Sequence, residues 1–406
     1  MFEYLKLAWR NIWRNKRRTL ITIASVFFAM FFALVMRSLQ VGTYDYMIKS
    51  VLENYIGYIQ IHKIGYTEDP VIDSSFNFSE EIIQKISNDK NVKAVIPRLE
   101  SFALASFKEN SKGVMILGID PEKEKLLTKP DKKIIEGRYL QNQNEVIIAD
   151  KLAEYFGVRP RDTIAFISQG YHGASSSGLF VVAGIIGIPN PELSKTLIYM
   201  PLHACQNFFQ AENQLTSLVI NINDNKLLNQ TLESIKKKID PEQFEVLSYE
   251  ESSPELIQQI KSDEGSGFIM LGVLYMIVGF GVFGTIMMMM AERRREFGVM
   301  MAVGMQKLRL TLLVVTEMIL MALTGIAAGV IGGLSVVYYL SKHPIRFTGE
   351  MAKTYENLGW DPVMPAIVDA RVFIFQSIVV LLIFFIAIIY PVYSLNKLKE
   401  INALKA

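Results

Sequence analysis

The stretch best suited to chemistry with another molecule is a short charged segment between two long apolar runs. Residues 292–296 are all charged, so this part of the chain cannot lie in the hydrocarbon core of a membrane. Behind them, apolar or small residues recur at the spacing of an amphipathic helix: Phe297, Met300, Met301 and Gly304. Such a helix at the inner mouth of a membrane protein could dock into a cytoplasmic partner. The alternative is that the arginines only orient the neighbouring spans, as cytoplasmic Lys and Arg do.

Residue types that carry enzyme chemistry are not grouped in the sequence. The four histidines fall in separate segments without ligand spacing: His62, His172, His203 and His343. No HExxH, G-x-S-x-G or Gly-x4-Gly-Lys-(Ser/Thr) motif occurs, which argues against a metalloprotease, a serine hydrolase and a nucleotide-binding loop. The single cysteine, Cys205, can form neither an internal disulfide nor a CxxC site. We therefore expect a non-catalytic chain that binds no metal or cofactor of its own.

Composition favours one membrane region joined to one water-soluble domain. Half of the 406 residues are hydrophobic, and the formal net charge is +2. This near-neutral charge, with no basic stripe interleaved with aromatics, argues against nucleic-acid binding.

Four apolar runs are long enough to cross a hydrocarbon core about 30 Å thick. A basic stretch precedes the first run, and its Leu5, Trp9 and Trp13 recur every four residues, as in a helix lying in the membrane interface. A signal peptide is the competing interpretation, but no small-residue cleavage site follows, so a retained anchor is favoured. The predicted boundaries are 1–18 for the interfacial helix, 19–41, 266–290, 309–340 and 371–394 for the spans, 291–308 for the charged helix, 341–370 for a loop and 395–406 for the tail.

Lys and Arg in the short segments predict the orientation. The amino end carries six of them, the stretch 291–309 five and the tail three, whereas the loop 341–370 has three against four acidic residues. We therefore expect both termini on the cytoplasmic side and the stretch 42–265 outside.

Strand and helix patterns alternate through this outer stretch. Strands are predicted at 58–62, 94–98, 113–118, 145–149, 163–168, 179–186, 197–200, 216–221 and 244–248. Helices are predicted after Ser79 and Asp150 as N-caps, over 201–210 and over 225–239. The predicted fold class is an α-helical membrane protein with four transmembrane helices and a large α+β extracytoplasmic domain, in two lobes, inserted between helices 1 and 2.

Two features of the third span could carry mechanism. Gly325, Gly329 and Gly333 form a ladder that lets helices approach closely, either within one chain or at a moving interface. Glu317 should be paired or face water, because an acidic group in a membrane is otherwise costly. A proton relay is disfavoured, since no further charged residues occur in the apolar runs of the spans.

The charged segment resembles a known family signature. Glu292-Arg-Arg-Arg-Glu-Phe-Gly298 with Ala302-Val-Gly304 is similar to the E-R-x-R-E-(I/F)-G…A-(L/V)-G motif of MacB/FtsX-family (type VII) ABC transporter permeases. The opening Leu7-Ala-Trp-Arg-Asn-Ile-Trp-Arg-Asn-Lys-Arg-Arg18 resembles that family's start, and the end from Tyr390-Pro-Val-Tyr resembles its tail without the usual proline near Ile401.

The outer stretch is similar to lipoprotein-releasing (Lol-type) permeases of that family. Gly57-Tyr-Ile-Gln-Ile-His62 resembles their entering strand, and Gly157-Val-Arg-Pro-Arg-Asp162 resembles a turn in which Arg161 replaces a glycine. The segment 168–178 is predicted to be a flexible, polar loop between two strands. It stands where one such permease carries a hook for a periplasmic carrier, with Tyr171 and His172 as contacts. An ordinary Gly/Ser-rich hairpin turn is the alternative.

The resemblance implies a multi-pass permease subunit of the cell inner membrane, with both termini cytoplasmic. Its implied partners are a separate cytoplasmic ATPase holding ATP and Mg, a second identical or homologous permease, membrane lipids, a lipoprotein and a periplasmic carrier. The implied function is extraction of lipoproteins from the inner membrane; MacB-like efflux of a drug or peptide and FtsX-like control of a cell-wall hydrolase are the alternatives. Glu317 would pin the conformation, and the implied ATPase-coupling residues are Glu292, Arg293, Arg295, Glu296, Phe297, Gly298, Met301 and Gly304.

Overall fold

The computed structural model describes residues 2–14, 16–77, 80–357 and 360–397. Two compact units share the chain: the first contains Met1–Asp45, Gln259–Arg346 and Val363–Ala406, and the second contains Tyr46–Gln258 and Phe347–Pro362. Ser79, predicted as a helix cap, lies outside the described residues, as do positions 398–406 of the predicted tail and the side chain of Leu5.

Helices form most of the first unit and connect the strands of the second. Their bounds are α1 Phe2–Arg14, α2 Lys16–Val51, α3 Glu80–Ser87, α4 Pro121–Glu124, α5 Asp150–Phe156, α6 Pro191–Thr196, α7 Leu202–Phe208, α8 Leu228–Lys236, α9 Tyr249–Ser252, α10 Pro254–Glu292, α11 Arg294–Ala302, α12 Lys307–Lys342, α13 Glu350–Asn357 and α14 Ala370–Lys397.

The strands lie almost entirely in the second unit. Their bounds are β1 Ile59–Lys63, β2 Phe76–Asn77, β3 Val92–Phe107, β4 Asn110–Ile119, β5 Ile134–Gly137, β6 Glu145–Ala149, β7 Thr163–Gln169, β8 Ser175–Ile186, β9 Leu197–Pro201, β10 Gln214–Leu215, β11 Ser217–Ile222, β12 Phe244–Ser248, β13 Ile345–Arg346 and β14 Val363–Met364.

Four helical stretches in the described part of the chain are long and apolar enough to cross a membrane. They are Thr19–Ile56, Pro254–Glu292, Lys307–Lys342 and Ala370–Leu395. The prediction of four transmembrane helices is confirmed. The first of these spanning helices, α2, also continues past the apolar run to Val51.

The glycine ladder of α12 packs against α2. A Cβ atom added at Gly325 would lie 2.7 Å from the Cβ of Val26, and one at Gly329 would lie 2.6 Å from the Cβ of Met30. Gly333 is buried on the same face. Real side chains do not approach so closely, so these backbones can touch only because the glycines have no side chain. Packing within one chain therefore accounts for the ladder.

One twisted sheet organises the second unit. Its strands follow the order β12-β1-β11-β3-β4-β9-β6-β8-β5, and β7 pairs with β3 and β8. Two hydrophobic clusters lie along it: one around β4, β6, β8 and β9, the other around β1, β11 and β12 with α3 and α8. The prediction of a large α+β domain between the first and second spanning helices is confirmed.

Two local predictions in this unit are wrong. Asp150 does not cap α5; Ala149 occupies the N-cap position, and the Asp150 carboxylate accepts a 2.6 Å hydrogen bond from Ser194 Oγ instead. The segment 168–178 is not a long loop, because β7 and β8 stay paired until Gln169 faces Ser175. Its serines occupy strand positions, so a Gly/Ser-rich composition did not indicate a loop here.

The turn before β7 keeps its shape without glycine. Arg161 has φ of 83°, in the left-handed region that favours glycine, and its N–H donates to Val182 O at 2.8 Å. The hydrogen-bonded turn thus imposes a strained backbone on an arginine.

Candidate functional site

A sharp turn places the charged segment between two spanning helices of the first unit. The helix α10 ends at Glu292 and α12 begins at Lys307, with the short α11 between them. Gly304 closes the end of α11 with φ of 99°, and its N–H donates to Met301 O at 3.0 Å. This positive φ suits glycine because a side chain would be strained there.

A ring of polar side chains, closed through the backbone of α1, holds the start of this segment. Arg293 donates to both carboxylate oxygens of Glu317, and Asn11 Nδ2 donates to Glu317 Oε1 at 2.7 Å. Arg293 Nε lies 3.2 Å from Glu296 Oε2, which also pairs with Arg14 Nη2 at 2.8 Å. The ring therefore ties α1, the charged segment and α12 together. We call these residues the polar ring.

The polar ring is buried on the Arg293–Glu317 side and open on the other. The side chains of Arg293 and Glu317 are 4% and 3% exposed, whereas that of Glu296 is 47% exposed. The prediction that Glu317 is paired is confirmed. Removing either partner of this buried ion pair would leave an uncompensated charge, which is strongly destabilising.

An apolar layer beneath the ring anchors α11. Phe297 is fully buried, and the Arg293 guanidinium lies 5.1 Å from the centre of its ring. Gly298 and Met301 are also buried on this side. Of the predicted coupling residues, these three and Arg293 therefore face the helices of this chain.

The opposite side of α11 and the turn that follows it present a different set of residues. Val299 of α11 is 48% exposed, Val303 directly after α11 is 84% exposed, and Leu308 at the start of α12 is 73% exposed. Arg295 is also exposed, as are Glu292, Glu296 and Gly304 from the predicted set. The amphipathic pattern had drawn attention to the buried apolar face, whereas the four-residue spacing of Val299 and Val303 was the available signal for the exposed one.

In the second unit, the two predicted carrier contacts lie at the tip of the β7–β8 hairpin and differ in their exposure. His172 is exposed with φ of 53°, and its N–H donates to Asp73 Oδ1 at 2.7 Å. Tyr171 is partly buried against the larger hydrophobic cluster, and its N–H donates to Phe209 O at 2.8 Å. Only His172 is therefore fully available to a partner.

The same hairpin contributes to an exposed apolar sheet face that the sequence patterns did not indicate. Phe102 and Leu104 of β3, Ile167 of β7 and Leu179 of β8 are 61%, 46%, 56% and 64% exposed. Leu104 lies opposite Ile167, and Leu179 lies opposite Ala165 on the same side of the sheet. We call these four large residues the apolar sheet face.

No group of three His, Cys, Asp or Glu side chains among the described residues is arranged to hold a metal ion. Burial raises the pKa of the Cys205 thiol, which keeps it protonated and unreactive.

Comparison with known proteins gives two family matches that together cover most of the chain. Residues 19–238 match the MacB-like periplasmic core domain, and residues 268–399 match the FtsX-like permease C-terminal domain.

Three proteins illustrate the similarity. The macrolide export ATP-binding/permease protein MacB of Acinetobacter baylyi is 23% identical over 63% of this chain and 40% of its own length. The pyoverdine export ATP-binding/permease protein PvdT of Pseudomonas syringae is 21% identical over 86% of this chain and 54% of its own length. The lipoprotein-releasing system transmembrane protein LolC of Neisseria meningitidis is 17% identical over 95% and 94%. The chain thus spans about half the length of the two export proteins that it matches.

Among solved structures, the periplasmic region of MacB from Actinobacillus actinomycetemcomitans matches with 16% identity and a TM-score of 0.35. The match covers 51% of this chain and 94% of that one.

Proposed function

Because the chain belongs to the MacB/FtsX family of ABC transporter permeases, we propose that it couples a separate ATPase to the extraction of lipoproteins from the inner membrane. The extracted lipoprotein would pass to a periplasmic carrier. The chain itself would supply no catalysis, and ATP and Mg would be held by the ATPase.

The polar ring is the observation that carries the coupling role. A movement that the ATPase imposes on α11 must be transmitted to the other helices, which requires that α11 is held firmly against them. Arg293 and Glu317 meet in a buried pair, and Arg14 joins Glu296, so α11 would move together with α1 and α12. Val299 and Val303 remain exposed for an ATPase groove. Both termini would then lie in the cytoplasm with this segment, in agreement with the Lys and Arg distribution.

The lipoprotein cargo is supported by two independent points. The similarity to LolC covers nearly the whole of both chains, whereas MacB and PvdT are matched over about half their lengths. The apolar sheet face also leaves four large apolar side chains between 46% and 64% exposed, and contiguous faces of this kind commonly bind an apolar partner. An acylated protein or its carrier has that chemistry, and His172 stands at the tip of the same hairpin.

Export of a small molecule or peptide is the second candidate. It is favoured by the MacB-like match over residues 19–238 and by the two export proteins among the relatives. In that function the apolar sheet face would bind an adaptor protein. An FtsX-like link to a cell-wall hydrolase would use the same coupling segment with a different outer partner.

The test is purification of the tagged chain from its own membranes in mild detergent, with mass spectrometry of everything retained. An ATPase together with acylated lipoproteins that are released by ATP would support the proposal and reveal any second permease. An ATPase with an adaptor or a hydrolase, and no lipoprotein, would move the function to export or signalling. Absence of an ATPase would overturn the coupling role.

A variant carrying Glu296→Ala and Gly298→Leu provides the matched comparison. Glu296 joins the polar ring, and Gly298 is buried under it. With insertion and yield unchanged, this variant should keep its outer partners but lose ATP-dependent release. Normal release from the variant would contradict the coupling assignment.

A further inference from the structure

Three stripes run along α1, and each has a different surrounding. Ala8 and Ile12 are 0% and 5% exposed and form the stripe that faces the rest of the unit. Trp9 and Trp13 lie one position further round the helix, are 46% and 45% exposed, and meet edge to face with ring centres 6.0 Å apart. The stripe of Ala8 and Ile12 is therefore packed within the unit, and the neighbouring stripe of Trp9 and Trp13 is exposed at its surface.

A basic stripe borders the aromatic one on its other side. Lys6 precedes Trp9 by three residues and Arg10 precedes Trp13 by three, so each cation neighbours a tryptophan on the helix surface. Both cations are exposed. Arg14 differs, because its guanidinium pairs with Glu296 at 2.8 Å within the polar ring.

The position of α1 along the chain places these stripes at the end of an apolar span. The next helix begins at Lys16, and Thr19 Oγ1 donates to Ile12 O at 2.6 Å, which fixes the end of α1 against the start of the span. Tryptophan is enriched at this level of a membrane because its ring is amphipathic, and Lys and Arg beside it reach the headgroups. Their charge is complementary to an anionic headgroup.

We propose that the exposed side of α1 is a binding site for anionic phospholipids. Trp9 and Trp13 enter the headgroup boundary, and Lys6 and Arg10 hold the phosphate of an acidic lipid. The opposite side of α1 carries Asn11, which donates to Glu317 at 2.7 Å. A lipid bound on one side of this helix therefore stabilises the element that closes the polar ring on the other. The lipid site itself is independent of the transported cargo.

Tryptophan quenching by brominated lipids tests the site directly. The chain has three tryptophans, so Trp360→Phe leaves Trp9 and Trp13, both on α1, as the only emitters. This full-length protein is reconstituted into neutral vesicles that contain a minor fraction of either brominated phosphatidylglycerol or brominated phosphatidylcholine. Phosphatidylglycerol should quench more strongly than phosphatidylcholine, and the difference should shrink as salt is added.

Two charge-matched variants locate the effect. Lys6→Gln with Arg10→Gln should weaken the preference for phosphatidylglycerol by about 25-fold, since each cation near an anionic surface contributes a factor of about five. Lys307→Gln with Arg309→Gln removes the same charges from exposed positions at the start of α12 and should preserve it. Equal quenching by the two lipids in the parent protein, no quenching by either, or equal losses in both variants would overturn the proposal.

Discussion

Arg293, in the turn between α10 and α11, forms an ion pair with Glu317 of α12, and both side chains are almost completely buried. Neither charge is isolated, because Asn11 also donates to Glu317 and Phe297 covers the guanidinium. A pair of this kind contributes little net stability compared with apolar residues, but breaking it from one side is costly. Its role is therefore to specify how the charged segment meets α12.

The first prediction separates stability from coupling at this pair. Glu317→Leu should destabilise the first unit by about 3–5 kcal/mol, because Arg293 is left buried without its partner. Arg293→Met combined with Glu317→Leu should recover stability to within about 1–2 kcal/mol of the parent, because apolar residues replace the whole pair. Thermal unfolding in detergent measures both changes.

If the pair also serves coupling, the double variant should be stable but should not release its cargo when ATP is added to the complex. Release of bound cargo on adding ATP, measured on complexes purified with equal yield, is the second readout. A double variant that is both stable and active would show that the pair only supports the fold.

The second prediction distinguishes the two faces of α11. Val303→Glu should leave the unfolding temperature nearly unchanged, since Val303 is 84% exposed, but should abolish co-purification of the ATPase. Phe297→Ala should instead lower stability by about 3–5 kcal/mol, because it opens a cavity in the core of the unit. An ATPase that is retained normally by Val303→Glu would place the contact elsewhere.

Sequence reasoning found this segment but not the orientation of its residues. The charges and the family signature located residues 292–304, and the cost of a buried acid correctly predicted a partner for Glu317. Periodicity identifies an apolar face without saying whether it faces the same chain or another protein. Phe297 and Met301 face inward because they join the hydrophobic core of the first unit, and Arg293 pairs with the buried Glu317.

The third prediction concerns the glycine ladder. Gly329→Ala should destabilise the first unit by about 1–3 kcal/mol, because the new methyl group would lie 2.6 Å from the Cβ of Met30. Gly272→Ala is the control, since open space surrounds that position on α10 and alanine favours a helix by about 1 kcal/mol. Opposite shifts in unfolding temperature are expected. Destabilisation by both substitutions would point to a second surface that covers α10.

The fourth prediction is a pH dependence in the second unit. Pairing with Arg138, together with hydrogen bonds from Asn142 and from the backbone of Gln141, lowers the pKa of Glu145 to about 2. Its folded pKa therefore lies below its unfolded value, so the stabilisation is complete above about pH 5 and is lost as the pH falls towards 2.

Glu145→Gln should accordingly lower the free energy of unfolding by about 2 kcal/mol at neutral pH, a value reduced because Arg138 is partly exposed. The difference between the two proteins should vanish near pH 2. Urea unfolding followed by circular dichroism at each pH measures it, and a difference that persists unchanged into acid would contradict an electrostatic origin.

The apolar sheet face explains why part of the outer sheet could not be predicted. Residues 94–98 read as a strand because they are largely apolar, but β3 continues to Phe107. In that second half the small Ala103 and Ala105 point into the core, while Phe102 and Leu104 point outward. Alternation still marks a strand, but the larger apolar residues lie on the side that sequence reasoning assigns to water.

The last prediction tests that face as a binding surface. Leu104→Thr with Ile167→Thr removes a cross-strand apolar pair. Threonine is a β-branched residue that is favoured in strands, so the strand itself is kept at both positions. Because both residues are about half exposed, the free energy of unfolding should change by no more than about 1 kcal/mol. Retention of the outer partner, read by quantitative mass spectrometry of the purified complex, should nevertheless fall several-fold.

The control is Lys93→Thr, at an exposed position of the same strand away from this face, which should leave retention of the outer partner unchanged. A double variant that is stable and retains every outer partner would mean that the apolar sheet face binds none of them, and the support that it lends to an acylated cargo or carrier would be lost.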